Sequence, residues 1–317
     1  MNIVAIENIG LSLSQISALS ARFEAQGHTF TFFEERSEDE NIIIDRAKDA
    51  EILIVSTIRI SEKVILSCPN LKMIAVAFTG CDHIALELCR EKGITVCNAA
   101  GYSTRAVAEL AIGLMIDLLR RVTVLDAETR KGMGRNGFMG KELSGKTVGI
   151  IGAGAIGLNV ARILQAFGCN IVAYSRSVNP KATEMGIKYL SLQEVLSFSD
   201  IISIHTPLTP QTQNLIGEKE LNLMKPTAIL INTARGGVVN QQALATALKG
   251  KRIAGAGLDV FDVEPPLPVD HPLLQTPNTI VVPHVGYATE EAIRDRSEIV
   301  ENNIIAFIEG NPVNVVV

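Results

Sequence analysis

Three glycines near the middle of the chain have the spacing of a phosphate-binding turn. Gly152, Gly154 and Gly157 form G-x-G-x-x-G between the apolar run TVGII and the amphipathic stretch AIGLNVARILQA. The first glycine of such a motif permits a tight turn, the second lets the backbone approach a pyrophosphate, and the third lets helix and strand pack closely. The context of strand, turn and helix therefore predicts a dinucleotide-binding unit.

The end of the next predicted strand indicates which dinucleotide is bound. The run NIVAY is followed by Ser175 and Arg176, where a carboxylate usually binds the ribose hydroxyls of NAD. A serine and an arginine remove the repulsion of a 2′-phosphate and offer it a charged partner. We therefore expect NADP to be preferred and NAD to be possible. The alternative is that Arg176 is a solvated loop residue and that NAD binds.

Short apolar runs alternate with amphipathic stretches along both halves of the chain. The strand candidates are NIVAI, TFTFF, ILIVS, KMIAVA and TVCN, then KTVGIIG, NIVAYS, IISIHTP, AILINTA, RIAGAGLDV and TIVVPH. This alternation predicts an α/β protein with two Rossmann-like, doubly wound parallel sheets. Between the two halves, residues 104–132 read as one nearly continuous helix, which could bridge two domains or pack against a second subunit.

The length of 317 residues exceeds what one hydrophobic core comfortably fills, about 250–300 residues. We expect a substrate-binding, flavodoxin-like domain at 1–98 plus 288–317, because a last amphipathic helix could return to the first half. Residues 99–287 are then the dinucleotide-binding Rossmann domain.

Composition excludes several classes of partner. The net charge of −5 argues against nucleic acid as a main partner, because a protein that binds nucleic acid needs a dense basic surface. No apolar run approaches the roughly 20 residues of a membrane span, and the N-terminus lacks the basic start of a signal peptide. Five cysteines without a C-x-x-C pair indicate reduced thiols in the cytoplasm and no metal site.

Several ordered motifs resemble the D-isomer-specific 2-hydroxyacid dehydrogenases over nearly the whole chain. They are AFTGCDHIA, TRAVAELAIGLMI, LSGKTVGIIGAGAIG, SIHTPLTPQT, INTARGGVVN, GLDVFDVEPP and PHVGYAT. The resemblance implies an oxidoreductase that interconverts a small 2-keto acid and a D-2-hydroxy acid with NAD(P). It also implies two domains with the active site in the cleft, and usually a homodimer.

The resemblance implies Arg235, Glu264 and His284 as catalytic residues, and their chemistry fits. A guanidinium can clamp a substrate carboxylate through two parallel hydrogen bonds and polarise the adjacent carbonyl. An imidazole can donate a proton in reduction and accept one in oxidation. A carboxylate on the far ring nitrogen fixes the tautomer and stabilises the imidazolium. His205, although it also follows a strand, is expected to lie along the cofactor and to take no part in proton transfer.

The remaining contacts are carried over from the family by position. The substrate carboxylate would meet backbone N–H groups of Gly80 and Cys81 as well as Arg235. The cofactor would contact Gly152, Gly154 and Gly157 of the glycine motif. Its further contacts would be Thr79, Ala155, Ile156, Ser175, Arg176, Thr206, Thr233, Ala234, Asp259, His284 and Gly286.

The substrate itself is less constrained by the sequence. Val55 stands where phosphoglycerate-oxidising members carry an arginine, although Arg59 is close by, and the chain ends soon after the last helix. We therefore expect glyoxylate or hydroxypyruvate reduction. D-lactate or D-3-phosphoglycerate dehydrogenase is the alternative within the family, and a dinucleotide-sensing transcriptional corepressor is the alternative of another class.

Overall fold

The computed structural model describes residues 1–263 and 266–317. Contacts divide the chain into two compact units, Met1–Ser103 with Ala288–Val317, and Thr104–Tyr287. The boundary predicted after residue 98 lies slightly before the observed one. The last long helix groups with the first unit, where it packs on two strands of that unit's sheet.

The described residues form alternating strands and helices in both units. The strands are β1 (Asn2–Ala5), β2 (Thr29–Phe32), β3 (Ile52–Val55), β4 (Met73–Val76), β5 (Thr95–Asn98), β6 (Thr147–Ile151), β7 (Asn170–Tyr174), β8 (Lys188–Tyr189), β9 (Ile201–Ile204), β10 (Ile229–Asn232), β11 (Gly255–Leu258) and β12 (Thr279–Val281). The helices are α1 (Leu13–Ala25), α2 (Glu40–Ala47), α3 (Glu62–Leu66), α4 (Leu86–Lys92), α5 (Thr104–Arg120), α6 (Val122–Arg130), α7 (Ala155–Ala166), α8 (Pro180–Glu184), α9 (Leu192–Phe198), α10 (Glu218–Leu223), α11 (Gln241–Lys249) and α12 (Glu290–Ile308).

The first unit contains a parallel sheet in the order β2-β1-β3-β4-β5. All four residues of β3 and of β4 are buried, as expected of strands in a parallel sheet with both faces covered. The strand order reverses between β1 and β3, so the carboxyl ends of these two strands flank a crevice of the kind that often binds ligands.

The second unit, as far as it is described, contains a parallel sheet in the order β12-β11-β10-β9-β6-β7-β8. Its order reverses between β6 and β9, which is the dinucleotide-binding arrangement of a doubly wound sheet. The predicted α/β class with two parallel sheets is confirmed. The two-residue edge strand β8 was not predicted, because so short a segment carries no periodic signal.

The long helix predicted over residues 104–132 is wrong as one element. It breaks at Arg121, whose φ of +52° lies in the left-handed region. The carboxylate of Asp117 then accepts a hydrogen bond from the N–H of Thr123 (2.9 Å) and caps the first turn of α6. Helix α5 is largely buried against α7, β10 and β11, whereas α6 buries none of its residues. Helical periodicity runs through the break, so the sequence pattern does not reveal it.

None of the described helices combines the length and the apolar character that crossing a membrane requires.

Candidate functional site

Six neighbouring strands of the second sheet have predicted site residues at their carboxyl ends. Because the strands are parallel and adjacent, these ends lie along one edge of the sheet, on both sides of the reversal between β6 and β9. The residues that follow these strands are His284 and Gly286 after β12, Asp259 after β11, Thr233 to Arg235 after β10, Thr206 after β9, the glycine motif after β6, and Ser175 with Arg176 after β7.

The three glycines of the motif are required for different reasons. A Cβ atom on Gly152 would lie 2.6 Å from the carbonyl oxygen of His205, and one on Gly157 would lie 2.1 Å from the carbonyl oxygen of Gly152. Gly152 also has a φ of +98°, which favours glycine. At Gly154, by contrast, no atom of the described residues other than its immediate chain neighbours lies within 4 Å of the point that a Cβ atom would occupy. Packing explains the outer glycines, whereas the middle one leaves space for a ligand.

The start of α7 is built to receive an anion. Gly154 is its N-cap and has no side chain to bind the first backbone N–H groups of the helix, those of Ala155, Ile156 and Gly157. Uncapped N–H groups and the positive end of the helix dipole favour a negatively charged group at this position. The open space at Gly154 and the uncapped helix end together fit a dinucleotide pyrophosphate.

The strand next to this turn presents no carboxylate. After β7, Ser175 is half-buried and Arg176 is exposed. The carbonyl of Tyr174 accepts a hydrogen bond from the N–H of Gly152 (2.8 Å), so β7 ends beside the glycine turn. The position expected to hold ribose hydroxyls therefore has a hydroxyl and a cation available.

His205 lies behind the glycine turn and is held neutral. Its Nε2 atom is 2.8 Å from Oγ of Ser203, and its Nδ1 atom is buried without a hydrogen-bond partner among the described residues. Burial lowers the pKa of His205 to about 3. An imidazole that stays uncharged at neutral pH is a poor proton donor, which agrees with leaving His205 out of the proton chemistry.

The segment after β10 is shaped by Asn232, a residue that sequence reasoning missed. Its side chain, 1% exposed, accepts a hydrogen bond from the N–H of Ala234 (3.1 Å) and donates one to the carbonyl of Arg235 (2.9 Å). The half-buried guanidinium of Arg235 donates to the carbonyl of Ala234 (2.8 Å). A polar residue that ends a buried strand is the signal that could have identified Asn232.

Two neighbours of Arg235 add constraints of different kinds. The Oγ1 atom of Thr233 is buried and has no hydrogen-bond partner in the described part of the chain; a buried hydroxyl in this state calls for a ligand or water. A Cβ atom on Gly236 would lie 1.8 Å from the carbonyl oxygen of Phe261. Gly236 therefore lets the segment bearing Arg235 pack directly against the chain that follows β11.

The loop that carries His284 is tied to β11 by Asp259. This carboxylate is 1% exposed and accepts hydrogen bonds from the N–H groups of Val285 (2.7 Å) and Gly286 (2.9 Å). His284 is half-buried, has a φ of +55° and packs edge-on against Tyr287 at 5.7 Å between ring centroids. Positive φ at a residue other than glycine is strained and is frequent at functional sites. Glu264, the third predicted catalytic residue, lies outside the described residues.

The predicted contacts of the first unit lie together in the turn that follows β4. Thr79 is exposed, Gly80 half-buried and Cys81 buried. The side chain of Asn98, at the end of β5, donates a hydrogen bond to the carbonyl of Thr79 (2.7 Å) and supports this turn. Among the described residues, no group of three His, Cys, Asp or Glu side chains is placed to hold a metal ion.

Comparisons with known proteins identify the family of the chain. A family model described as D-isomer specific 2-hydroxyacid dehydrogenase, NAD binding domain, matches residues 112–286. The chain is 41% identical to a glyoxylate reductase of Thermococcus litoralis, over 87% of this chain and 86% of that protein. It is 40% identical to a D-3-phosphoglycerate dehydrogenase of Methanocaldococcus jannaschii, over 84% of this chain and 52% of that protein.

A solved structure shares the whole fold. It is an acyclic imino acid reductase, Bsp5, in complex with NADPH and D-Arg, with a TM-score of 0.91, 31% identity and full coverage of both chains. The sequence resemblance is thus confirmed at the level of the family model, the relatives and the fold. The chain belongs to the D-isomer-specific 2-hydroxyacid dehydrogenases, oxidoreductases that act on the CH–OH group of a donor with a nicotinamide dinucleotide.

Proposed function

We propose that the enzyme reduces glyoxylate or hydroxypyruvate to the corresponding 2-hydroxy acid and prefers NADPH to NADH. The observation that carries this proposal is the carboxyl edge of the second sheet. There, β10, β11 and β12 lead to Arg235 and to the His284 loop, while β6 leads to the open turn at Gly154. Similarity to a glyoxylate reductase over most of both chains supports the choice of substrate.

Each of the three proposed catalytic residues has one task. The guanidinium of Arg235 binds the carboxylate of the keto acid through two parallel hydrogen bonds and polarises its 2-keto oxygen. The imidazole of His284 donates a proton to that oxygen as it becomes a hydroxyl. For Glu264, which lies outside the described residues, our prediction remains that its carboxylate fixes the tautomer of the imidazole and stabilises the imidazolium. The bound dinucleotide supplies the hydride.

The surroundings of Arg235 and His284 suit these tasks. Asn232 binds the N–H of Ala234 and the carbonyl of Arg235, which fixes the backbone from which the Arg235 side chain extends. Asp259 does the same for the backbone that follows His284. Catalytic groups that are held before substrate arrives avoid part of the entropic cost of reaching the reactive geometry. In the first unit, the Gly80 and Cys81 N–H groups remain our prediction for further carboxylate contacts.

The cofactor preference depends on the loop after β7. With Ser175 and Arg176 in place of a carboxylate, a 2′-phosphate meets no repulsion and gains a guanidinium partner. Thr79, Thr206, Thr233, Ala234 and Asp259 remain the proposed contacts to the rest of the dinucleotide. The buried Oγ1 atom of Thr233, which has no hydrogen-bond partner among the described residues, supports its share of this assignment.

The buried end of β3 supports a small substrate without a phosphate. Val55 has no exposed surface, so the position that would carry an arginine in phosphoglycerate-oxidising members belongs to the core here.

D-lactate and D-3-phosphoglycerate remain the alternatives to be assayed beside glyoxylate and hydroxypyruvate. A corepressor that senses dinucleotide would bind the cofactor without turnover.

Helix α6 supports the proposal of a homodimer. It buries none of its residues although it contains apolar ones. Val122, Val124 and, just beyond the helix, Met133 and Met139 are 44–77% exposed. Exposed apolar groups concentrated on one segment favour a protein interface, and a second copy in a symmetric pair is the most frequent arrangement.

We propose that this enzyme works in the cytoplasm, because five buried cysteines without disulfides suit a reducing compartment.

The first experiment is a steady-state assay of four keto acids with NADPH and with NADH. The acids are glyoxylate, hydroxypyruvate, pyruvate and 3-phosphohydroxypyruvate. We expect the highest kcat/KM for one of the first two, with NADPH. A preference for NADH of about tenfold, or 1.4 kcal/mol, would contradict the cofactor assignment. Absence of turnover with every acid, in protein that binds dinucleotide, would favour the corepressor.

The second experiment tests the carboxylate clamp. Arg235→Ala should lower kcat/KM by about 10²- to 10³-fold, because it removes contacts that strengthen in the transition state. Arg162→Ala, which removes an exposed arginine of α7, is the matched control and should retain wild-type turnover. Near-normal turnover of Arg235→Ala would show that another group holds the substrate carboxylate.

A further inference from the structure

Asn179 connects the loop after β7 to the glycine turn, and no assigned role accounts for it. Its side-chain Nδ2 atom donates a hydrogen bond to the carbonyl of Ala153 (3.0 Å), the residue between the first two glycines of the motif. Its Oδ1 atom accepts one from the N–H of Lys181 (3.1 Å) and so caps α8. Its own N–H donates to the hydroxyl of Tyr189 on β8 (3.0 Å).

These bonds enclose the short loop 175–178 between two attachments to the glycine turn. At the start of the loop, the carbonyl of Tyr174 accepts from the N–H of Gly152 (2.8 Å). At its end, Asn179 binds the carbonyl of Ala153. The residues between are half-buried or exposed, so side-chain packing contributes little to holding them. The position of the loop relative to the pyrophosphate turn therefore depends on the two hydrogen-bonded ends.

The distance between loop and turn matters for cofactor choice. In a dinucleotide, the ribose that bears the 2′-phosphate is joined covalently to the pyrophosphate, so their separation is fixed within narrow limits. A guanidinium discriminates by direct hydrogen bonds, which require donor and acceptor about 2.7–2.9 Å apart. Arg176 is exposed, so the position of its guanidinium depends on the backbone of the loop that carries it. A loop detached at one end would present it over a wider range of positions.

We propose that Asn179 is a positioning residue that sets the preference for NADPH by fixing the Ser175–Arg176 loop against the glycine turn. This inference rests on the proposed function and extends it to a residue for which no contact with the substrate is proposed. It predicts that weakening one attachment lowers affinity for the 2′-phosphorylated cofactor more than for NADH.

The test variant is Asn179→Ser. Serine is as good an N-cap as asparagine, so α8 keeps its cap, but the hydroxyl is too short to reach the carbonyl of Ala153. Asn240→Ser is the matched control, since Asn240 caps α11 through the N–H of Ala243 (2.9 Å) and has no bond to the glycine turn. Urea denaturation of both variants verifies that each one folds.

The measurement is equilibrium binding of NADPH and of NADH, followed by nicotinamide fluorescence without any keto acid. For Asn179→Ser we expect the ratio of the two affinities to fall by about three- to tenfold, the effect of one hydrogen bond. Asn240→Ser should keep the wild-type ratio. An unchanged ratio in Asn179→Ser, or an equal loss for both cofactors, would overturn the inference.

A double-variant cycle tests whether Asn179 acts through Arg176. In an Arg176→Ala background, Asn179→Ser should leave the ratio of affinities unchanged, because the group being positioned is gone. Independent, additive effects would assign Asn179 another role. If the wild-type protein binds neither cofactor, the proposed function itself fails. Wild-type binding with a preference for NADPH that Asn179→Ser does not alter refutes this inference alone.

Discussion

Asp259 holds the backbone at Gly286 through a hydrogen bond of 2.9 Å, and a Cβ atom at Gly286 would approach the same carboxylate oxygen to 2.8 Å. The other oxygen of Asp259 binds the N–H of Val285. The turn that follows His284 is therefore attached to the end of the neighbouring strand β11 by one buried carboxylate. A residue first expected to contact the cofactor thus also anchors the loop of the proposed proton donor.

Asp259→Asn should lower both stability and turnover. The amide nitrogen would face one of the two backbone N–H groups and leave it without an acceptor, at a cost of about 1–3 kcal/mol in the free energy of unfolding. We expect the resulting shift of the His284 loop, on the order of 1 Å, to reduce kcat about 10²-fold. Urea denaturation and steady-state assays check both effects. The exposed Asp270→Asn is the control, and equal behaviour of the two variants would contradict the anchoring role.

The glycines of the motif should separate stability from cofactor binding. Gly157→Ala would force a Cβ atom to 2.1 Å from the carbonyl oxygen of Gly152, so we expect a loss of more than about 2 kcal/mol in stability. Gly154→Ala meets no described residue beyond its immediate chain neighbours and should cost less than about 1 kcal/mol. It should nevertheless weaken dinucleotide binding severely, by blocking the approach of the pyrophosphate. Calorimetric unfolding and cofactor titration distinguish the two.

Half-buried His205 should make the protein less stable in mild acid. Its pKa of about 3 lies below the ordinary value of 6.5, so the unfolded chain takes up a proton that the folded chain excludes. Above the ordinary pKa, neither state of the chain protonates His205 and the free energy of unfolding has its full value. As the pH falls below that pKa, proton uptake by the unfolded chain lowers the free energy of unfolding, by about 2 kcal/mol at about pH 5. His205→Gln should lose about that much less stability than wild type between about pH 7 and about pH 5. Parallel pH profiles for the two proteins would rule this out.

Glu7 should stabilise the first unit more than Glu38 does, an exposed glutamate that pairs with the same arginine. It follows β1, is 3% exposed, and its Oε1 atom accepts hydrogen bonds from the N–H groups of Ser56, Thr57 and Ile58 (2.8–3.1 Å). Its Oε2 atom pairs with Arg36 at 2.7 Å. The carboxylate thus occupies the crevice at the strand reversal between β1 and β3 and binds backbone N–H groups that an anionic ligand could otherwise use.

Neutralising Glu7 tests this role. Glu7→Gln should cost about 1–3 kcal/mol in the free energy of unfolding, because buried charge-assisted hydrogen bonds are lost. Glu38→Gln provides the matched control: Glu38 pairs with the same Arg36 at 2.9 Å but is 78% exposed, and surface pairs contribute less than about 1 kcal/mol. Denaturation midpoints that fall equally in the two variants would argue against the buried network.

The sequence alone determined the family, the alternation of strands and helices, and the residue types available for chemistry. The glycine motif, the apolar runs and the motifs around Arg235 and His284 are local patterns, and local patterns follow from backbone geometry and strand burial. Only the tertiary structure decided the break at Arg121 and the long-range hydrogen bonds of Asn179, Asp259 and Glu7. These bonds join residues from different strand ends or loops, and a polar residue's partner across space has no signature in its neighbours along the chain.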